Sequence, residues 1–184
     1  PMTNTHRVSP VERIGALNRA IVNNGWVRLI EAHSGLSGIV GETAKVEVGD
    51  ETRTYDGFWE SSLTDSASKG LPDASIIGTE SRLQTINEIL QVTTLPMIVD
   101  GDTGGDPAQF EYMVTQLERI GISGVIIEDK VFPKRNSLDP TASQVLEDPL
   151  TFARKITTGK TARVGNEFLV IARLESLIAG TGLS

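Results

Sequence analysis

Three acidic side chains sit where short apolar runs end. Asp100 follows Pro96-Met97-Ile98-Val99, Asp102 comes two residues later, and Glu128 follows Gly124-Val125-Ile126-Ile127. Such oxygen donors suit a hard cation. With no cysteine and only two histidines in the chain, the ion they fit is Mg2+, which takes one or two carboxylates and keeps several waters. From Glu128 the chain continues as EDKVFPKRNS, residues 128–137, bringing Lys130, Lys134 and Arg135 close together and adding Asn136 and Ser137. With Arg173 at the end of a later apolar run, Lys134, Arg135 and Asn136 supply charge and hydrogen bonds for a phosphoryl or carboxylate group. A plainer account exists: strand-end acids cap helices or pair with neighbours, and basic loops are solvated. Three acids beside a glycine-rich turn, with the basic loop leaving directly from one of them, favour a site.

The elements that must position these residues follow from pattern. Ser9-Pro10-Val11-Glu12 is a helix start, and the spacing predicts a leading helix over about 10–24 with Gly25 as its stop. Strands are predicted at 26–31, ending at Phe58-Trp59, and at 96–99, 124–127 and 168–172. Helices are predicted at 36–44, 80–91, 107–120 and within 146–160, where Gly159 reads as a stop. Residues 60–78 read as a loop, and Glu175 onward as a loop and the start of a further helix. Residues 46–55 alternate around Gly49-Asp50 and read as a hairpin inserted into the series. Strands alternating with helices imply a parallel sheet, either open and doubly wound or closed as a (β/α)8 barrel. In both, the carboxyl ends of the strands share one face, where ligands bind. Glu31-Ala32-His33-Ser34, Glu60-Ser61-Ser62 with Asp73 farther along, Asp100–Gly105, Glu128-Asp129-Lys130, and Arg173 with Glu175 all fall there. Taken singly, His33 reads as a hydrogen-bonded structural residue and Trp59 as rim packing.

Composition bounds the partners. The chain has 184 residues and a net charge of −7, which argues against nucleic acid or a membrane surface and for a small anionic ligand held by one basic loop. The absence of cysteine excludes disulfides and thiolate chemistry and fits a cytoplasmic protein. No apolar run reaches the length of a membrane span, and PMTNTHRVSP lacks the apolar core of a signal peptide. Two motif matches fail. Asp100-Gly101-Asp102-Thr103 resembles the DxDxT start of aspartate-nucleophile phosphatases but lies on the third strand, not the first. Thr158-Gly159-Lys160-Thr161 resembles the end of a P-loop, but Arg154 stands where its first glycine belongs.

Together, Trp59…Ser61-Ser62-Leu63, Asp73, Asp100-x-Asp102-Thr103-Gly104, the EDK-x-FPK-x-NS stretch and Ala172-Arg173-x-Glu175…Ile178-Ala179-Gly180 resemble phosphoenolpyruvate mutase, of the isocitrate lyase superfamily, from about residue 26 onward. The resemblance implies a (β/α)8 TIM-type barrel, with residues 1–184 forming its N-terminal portion and about five of its βα units. It implies Mg2+ bound by Asp100, with Asp102 and Glu128 reaching it largely through water. Lys134 and Asn136 would lie on a gate loop; Arg173 and Asn136 would hold the phosphoryl group. Ser61-Ser62-Leu63, beside Trp59, would bind the carboxylate, and Asp73 would sit near the transferring phosphorus. The implied activity is an isomerase reaction that interconverts phosphoenolpyruvate and phosphonopyruvate, the P–C bond-forming step of phosphonate biosynthesis. A homo-oligomer, dimer or tetramer, goes with it. The rival readings are phosphonopyruvate hydrolase, whose gate loop has Thr where this chain has Asn136, and a non-catalytic barrel fragment. Ser62 stands where the family usually has Gly, and the 46–55 hairpin is not usual there. A barrel of five units is expected to turn over little by itself.

Overall fold

A computed structural model of the protein describes residues 8–182. The leading helix α1 spans Pro10–Asn24. Ser9 Oγ accepts the Glu12 N–H at 3.2 Å, and Gly25, at φ +75°, ends the helix in the left-handed conformation that glycine adopts without strain. The first strand, β1, is shorter than its apolar run: Leu29–Glu31. Helix α2, Gly35–Thr43, starts with a capping box between Ser34 and Ser37. The hairpin follows as β2, Lys45–Val48, and β3, Glu51–Thr54; these pair only with each other and are exposed throughout. Then come β4 (Gly57–Glu60), α3 (Ser62–Ser68), α4 (Thr79–Leu90), β5 (Met97–Asp100), α5 (Pro107–Ile120), β6 (Gly124–Glu128), α6 (Pro149–Ala162) and β7 (Leu169–Arg173).

Three elements differ from their sequence reading. Residues 62–68, read as loop because Ser, Thr and Asp favour turns, form α3. The Asp65 carboxylate, paired with Lys69 one turn on and accepting from Thr85 Oγ1 at 2.9 Å, ties that helix to α4. Gly159, read as a stop, lies inside α6. A Cβ there would be 2.5 Å from Phe110 Cε1, so the glycine is required by the close approach of α6 to α5. The further helix expected after Glu175 is absent among the described residues, which form turns up to Gly180.

Five strands pair in parallel in the order β1-β4-β5-β6-β7, which is their order along the chain once the hairpin is set aside. A doubly wound sheet reverses its order at a switch point; this one does not, and it forms part of a barrel wall. Alternation along β4 separates its side chains. Phe58 points outward onto α2, where a Cβ on Gly41 would be 3.1 Å from its ring, and Trp59 points to the inner face. Met97, Val99, Val125 and Ile127 join Ile86, Phe110, Val114 and Leu117 in the core between sheet and helices. Burial of a Leu- or Ile-sized side chain there is worth roughly 1.5–3 kcal/mol.

α1 is fastened to the end of this layer by one buried side chain. The Arg13 guanidinium, 4% exposed, donates to the carbonyls of Leu95 at 2.8 Å and Thr93 at 2.6 Å, with Leu90 at 3.4 Å. Its own carbonyl accepts from Ser123 Oγ at 2.9 Å. Removing that cation strands buried acceptors. Arg13→Ala is expected to lower unfolding free energy by about 3 kcal/mol in urea titrations, against about 0.5 kcal/mol or less for the exposed Arg154→Ala.

Candidate active site

Strand register brings the rim residues together. Asp100 pairs with Ile126 and Glu128 pairs with Arg173, so these side chains share the inner face at the strand ends. They border a cavity of about 200 Å3. Nine of the eleven residues proposed from sequence line it: Trp59, Ser61, Ser62, Leu63, Asp73, Asp100, Lys134, Asn136 and Arg173. The other two, Asp102 and Glu128, are paired with Lys134 and Arg173 respectively.

Lys134 is the centre of the arrangement. It is 3% exposed, and its ammonium reaches Asp102 Oδ1 at 2.8 Å, Asp73 Oδ1 at 3.0 Å and Ser62 Oγ at 2.7 Å. Ser62 in turn donates to Asp100 Oδ2 at 2.9 Å. The hydroxyl absent from a glycine therefore connects the loop lysine to a rim carboxylate. Arg173 stands opposite, with Nη2 against Glu128 Oε2, Nη1 at 3.6 Å from Asp100 and Nε at 2.8 Å from Glu175. Burial opposes ionisation of Asp100, but Lys134, Arg173 and Arg82 outweigh it and hold the carboxyl below its usual range. Burial likewise disfavours the Lys134 cation, yet Asp102, Asp100 and Asp73 push its pKa above the usual lysine value.

Of the three basic residues on the loop, only Lys134 lines the cavity. Lys130 is buried behind it, donating to Arg135 O at 3.0 Å and Ser137 Oγ at 2.5 Å and lying 3.4 Å from Glu128 and 3.5 Å from Glu175. It fastens the loop to its strand. Arg135 is exposed. Asn136 Oδ1 accepts from the Leu138 N–H at 2.8 Å, so what it offers a ligand is its NH2 group. His33 pairs with Glu31 at 3.1 Å, as its structural reading expects. Trp59 does more than pack: it lines the cavity, and its buried Nε1–H has no partner among the described residues.

The carboxylates proposed as metal ligands are not gathered into a ready cage. Among the described residues no group of three or more His, Cys, Asp or Glu side chains is positioned to hold an ion by itself. Lys134 and Arg173 supply the positive charge instead. Asp102 Oδ1 and both Glu128 oxygens are nevertheless buried without a hydrogen-bond donor in good geometry. That all-oxygen set suits Mg2+, which completes its shell with water.

The chain matches the family model described as phosphoenolpyruvate phosphomutase over residues 18–183. It belongs to that family. It is 37% identical over 156 residues to a phosphoenolpyruvate phosphomutase of Tetrahymena pyriformis, covering 84% of this chain and 49% of the relative. It is 36% identical over 165 residues to a phosphonopyruvate hydrolase of Variovorax sp. (strain Pal2), covering 89% and 54%. Among solved structures, a phosphoenolpyruvate phosphomutase from Streptomyces platensis subsp. rosaceus superimposes with TM-score 0.80 at 38% identity, covering 90% of this chain and 54% of that one. A phosphonopyruvate hydrolase in complex with oxalate and Mg++ superimposes with TM-score 0.77 at 35% identity, covering 92% and 55%. The chain thus spans about half the length of the curated relatives it matches, and its five-stranded sheet is part of a TIM-type barrel. Mutase and hydrolase relatives stand at similar identity. No helix among the described residues is long and apolar enough to cross a membrane.

Two residues escaped the sequence reading. Glu60, expected at the rim, lies with Phe58 on the outer face, fully buried, its nearest cation Arg82 Nε at 4.0 Å. Arg82 is on the apolar stripe of α4 with Ile86 and Ile89, an arginine at a core position that the helical period could have flagged. Burial raises the Glu60 pKa from 4.5 to about 8; Arg82 pulls the other way but is too distant to hydrogen-bond and does not prevail. The folded protein therefore keeps this proton where the unfolded chain releases it. Stability from this group is complete below about pH 4.5 and is lost as pH rises through about 8. Glu60→Gln should match wild-type stability in acid and exceed it increasingly between those two values, read as the difference in Tm across a pH series.

Proposed function

We propose that this site interconverts phosphoenolpyruvate and phosphonopyruvate, moving a phosphoryl group between the enol oxygen and C3 of one three-carbon acid. The observation that carries this reading is the placement of two buried or half-buried cations, Lys134 and Arg173, on one small cavity with an acidic rim. Phosphoryl transfer passes through a loose, anionic transition state, so the protein's task is positioning and charge stabilisation. Arg173 and the Asn136 amide hold the phosphoryl oxygens, and Lys134 balances charge that develops at the transferring group. The first turn of α3, at Ser61-Ser62-Leu63, and the Trp59 N–H face the carboxylate end. Asp73, fixed by Lys134, lies on the phosphoryl side. Asp100, with Asp102 and Glu128, would hold Mg2+, which when bound supplies charge to the enolate and carboxylate oxygens. The loop from Val131 to Leu138 borders the site through Lys134, Asn136 and Leu138, and its closure over the substrate would keep out bulk water.

The second reading is hydrolysis of phosphonopyruvate to pyruvate and phosphate, supported by the Variovorax relative. Asn136 favours the mutase. Phosphorus NMR of the longest available form of the protein with phosphonopyruvate and Mg2+ separates the two: phosphoenolpyruvate is the expected product, whereas inorganic phosphate with pyruvate would establish the hydrolase. A protein that changes neither and binds neither Mg2+ nor oxalate would be a non-catalytic scaffold. Lys134→Ala is expected to cut turnover about 100-fold or more in the same assay.

A further inference from the structure

The acidic turn that ends β5 has an unusual backbone. Asp102 sits at φ +53°, a left-handed conformation that Asp tolerates but does not prefer, and Gly104 and Gly105 follow at φ +76° and +62°. From the β6 side the turn is held by the Gly101 N–H to Ile126 O at 2.7 Å and the Glu128 N–H to Asp102 O at 2.8 Å. From the α4 side, one side chain holds it. Arg82, 7% exposed, places Nη1 on the Asp100 carbonyl and Nη2 3.5 Å from Asp102 Oδ2, while its Nε faces Glu60. The opposite oxygen of Asp102 is the one that meets Lys134. The same carboxylate is thus gripped from outside the sheet by Arg82 and from the cavity by the loop lysine.

We propose that Arg82 is a positioning residue for the site: its guanidinium reaches through from the helix layer and fixes the Asp100–Asp102 turn in the shape that presents Asp102 to Lys134 and to a metal. This rests on the Mg2+ reading above only for its last clause. Arg82 touches no substrate; its action passes through Asp102. Glu60, lying behind it on the outer face, forms a polar pair with it, and a hydrophobic replacement of both leaves no carboxyl stranded at Glu60, while Asp102 keeps Lys134 as its cation.

That property supplies the test. Arg82→Met alone leaves Glu60 without its cation and mixes folding with positioning. The double variant Glu60→Leu/Arg82→Met removes both and should fold at a lower Tm, because the Asp100 carbonyl loses its donor, so exchange of the turn is read relative to that of the β6 and β7 strands. In it, hydrogen exchange of the Asp100–Gly105 segment is expected to rise about tenfold, and Mn2+ affinity, measured by electron paramagnetic resonance with oxalate present, to fall about tenfold. Arg82→Lys keeps the charge but cannot span both acceptors, and should show the same two changes to a smaller degree; it serves if the double variant does not fold. A folded variant whose turn exchanges as slowly as wild type overturns the proposal. Wild-type protein that binds no Mn2+ would instead remove the metal reading, and the exchange result would still decide the role of Arg82.

Discussion

Carboxylates at the ends of adjacent parallel strands repel one another, and everything at this rim answers to that repulsion. Asp100, Asp102 and Glu128 are largely withdrawn from water, where like charges interact strongly. Ionised together they need compensating cations. The sheet provides one from its own register, because Glu128 pairs with Arg173 across β6 and β7. A second comes from a loop, whose Lys134 is drawn onto Asp102 and Asp73, and Arg82 adds a third from the helix layer. The conformation of the 128–137 segment answers this demand, since a solvated Lys134 would leave Asp102 with Arg82 alone and take from Asp73 the ammonium that pairs with it.

The two lysines of that loop have different tasks. Lys130, spent on Glu128, Glu175, Ser137 and a backbone carbonyl, has no capacity left for a ligand. It makes a rigid root from which Lys134 can be aimed. Lys134 is held by three acceptors that all belong to the rim, so an anionic ligand or a metal that re-partners those acceptors also changes what holds the loop. Binding and loop position are coupled through one ammonium group without any separate switch.

Much of this was legible in the sequence, and the parts that were not share a cause. The strand and helix order followed from apolar runs, the Ser9 cap and the Gly25 stop, all local signals. The rim residues were legible because strand ends in parallel α/β folds share a face. Gly159 was misread because a glycine required by tertiary approach looks the same as one required by a helix end; only the Phe110 ring distinguishes them. Glu60 was misplaced because proximity to a strand end was given more weight than alternation. With Trp59 inward, Glu60 must face the helices. Three-dimensional partnership, as between Glu60 and Arg82 or between Ser62 and Lys134, carries no spacing signal at all.

Mutase and hydrolase chemistry differ in one physical respect, whether water reaches the phosphorus while the phosphoryl is in transit. A cavity of about 200 Å3 corresponds to about seven waters at liquid density. A phosphorylated three-carbon acid displaces most of them. What remains depends on the side chains that line the cavity, Asn136, Lys134 and Ser62 among them. Ser62 adds a hydroxyl already committed to Lys134 and Asp100; it fills space that a glycine would leave to solvent and orders no additional water. Elsewhere on the rim, positions stay open: the Trp59 Nε1–H, Asp102 Oδ1 and both Glu128 oxygens have no hydrogen-bond partner among the described residues. Those open positions are where a metal or an ordered water would bind, so the choice between transfer within the substrate and transfer to water turns on Asn136 and on what occupies them.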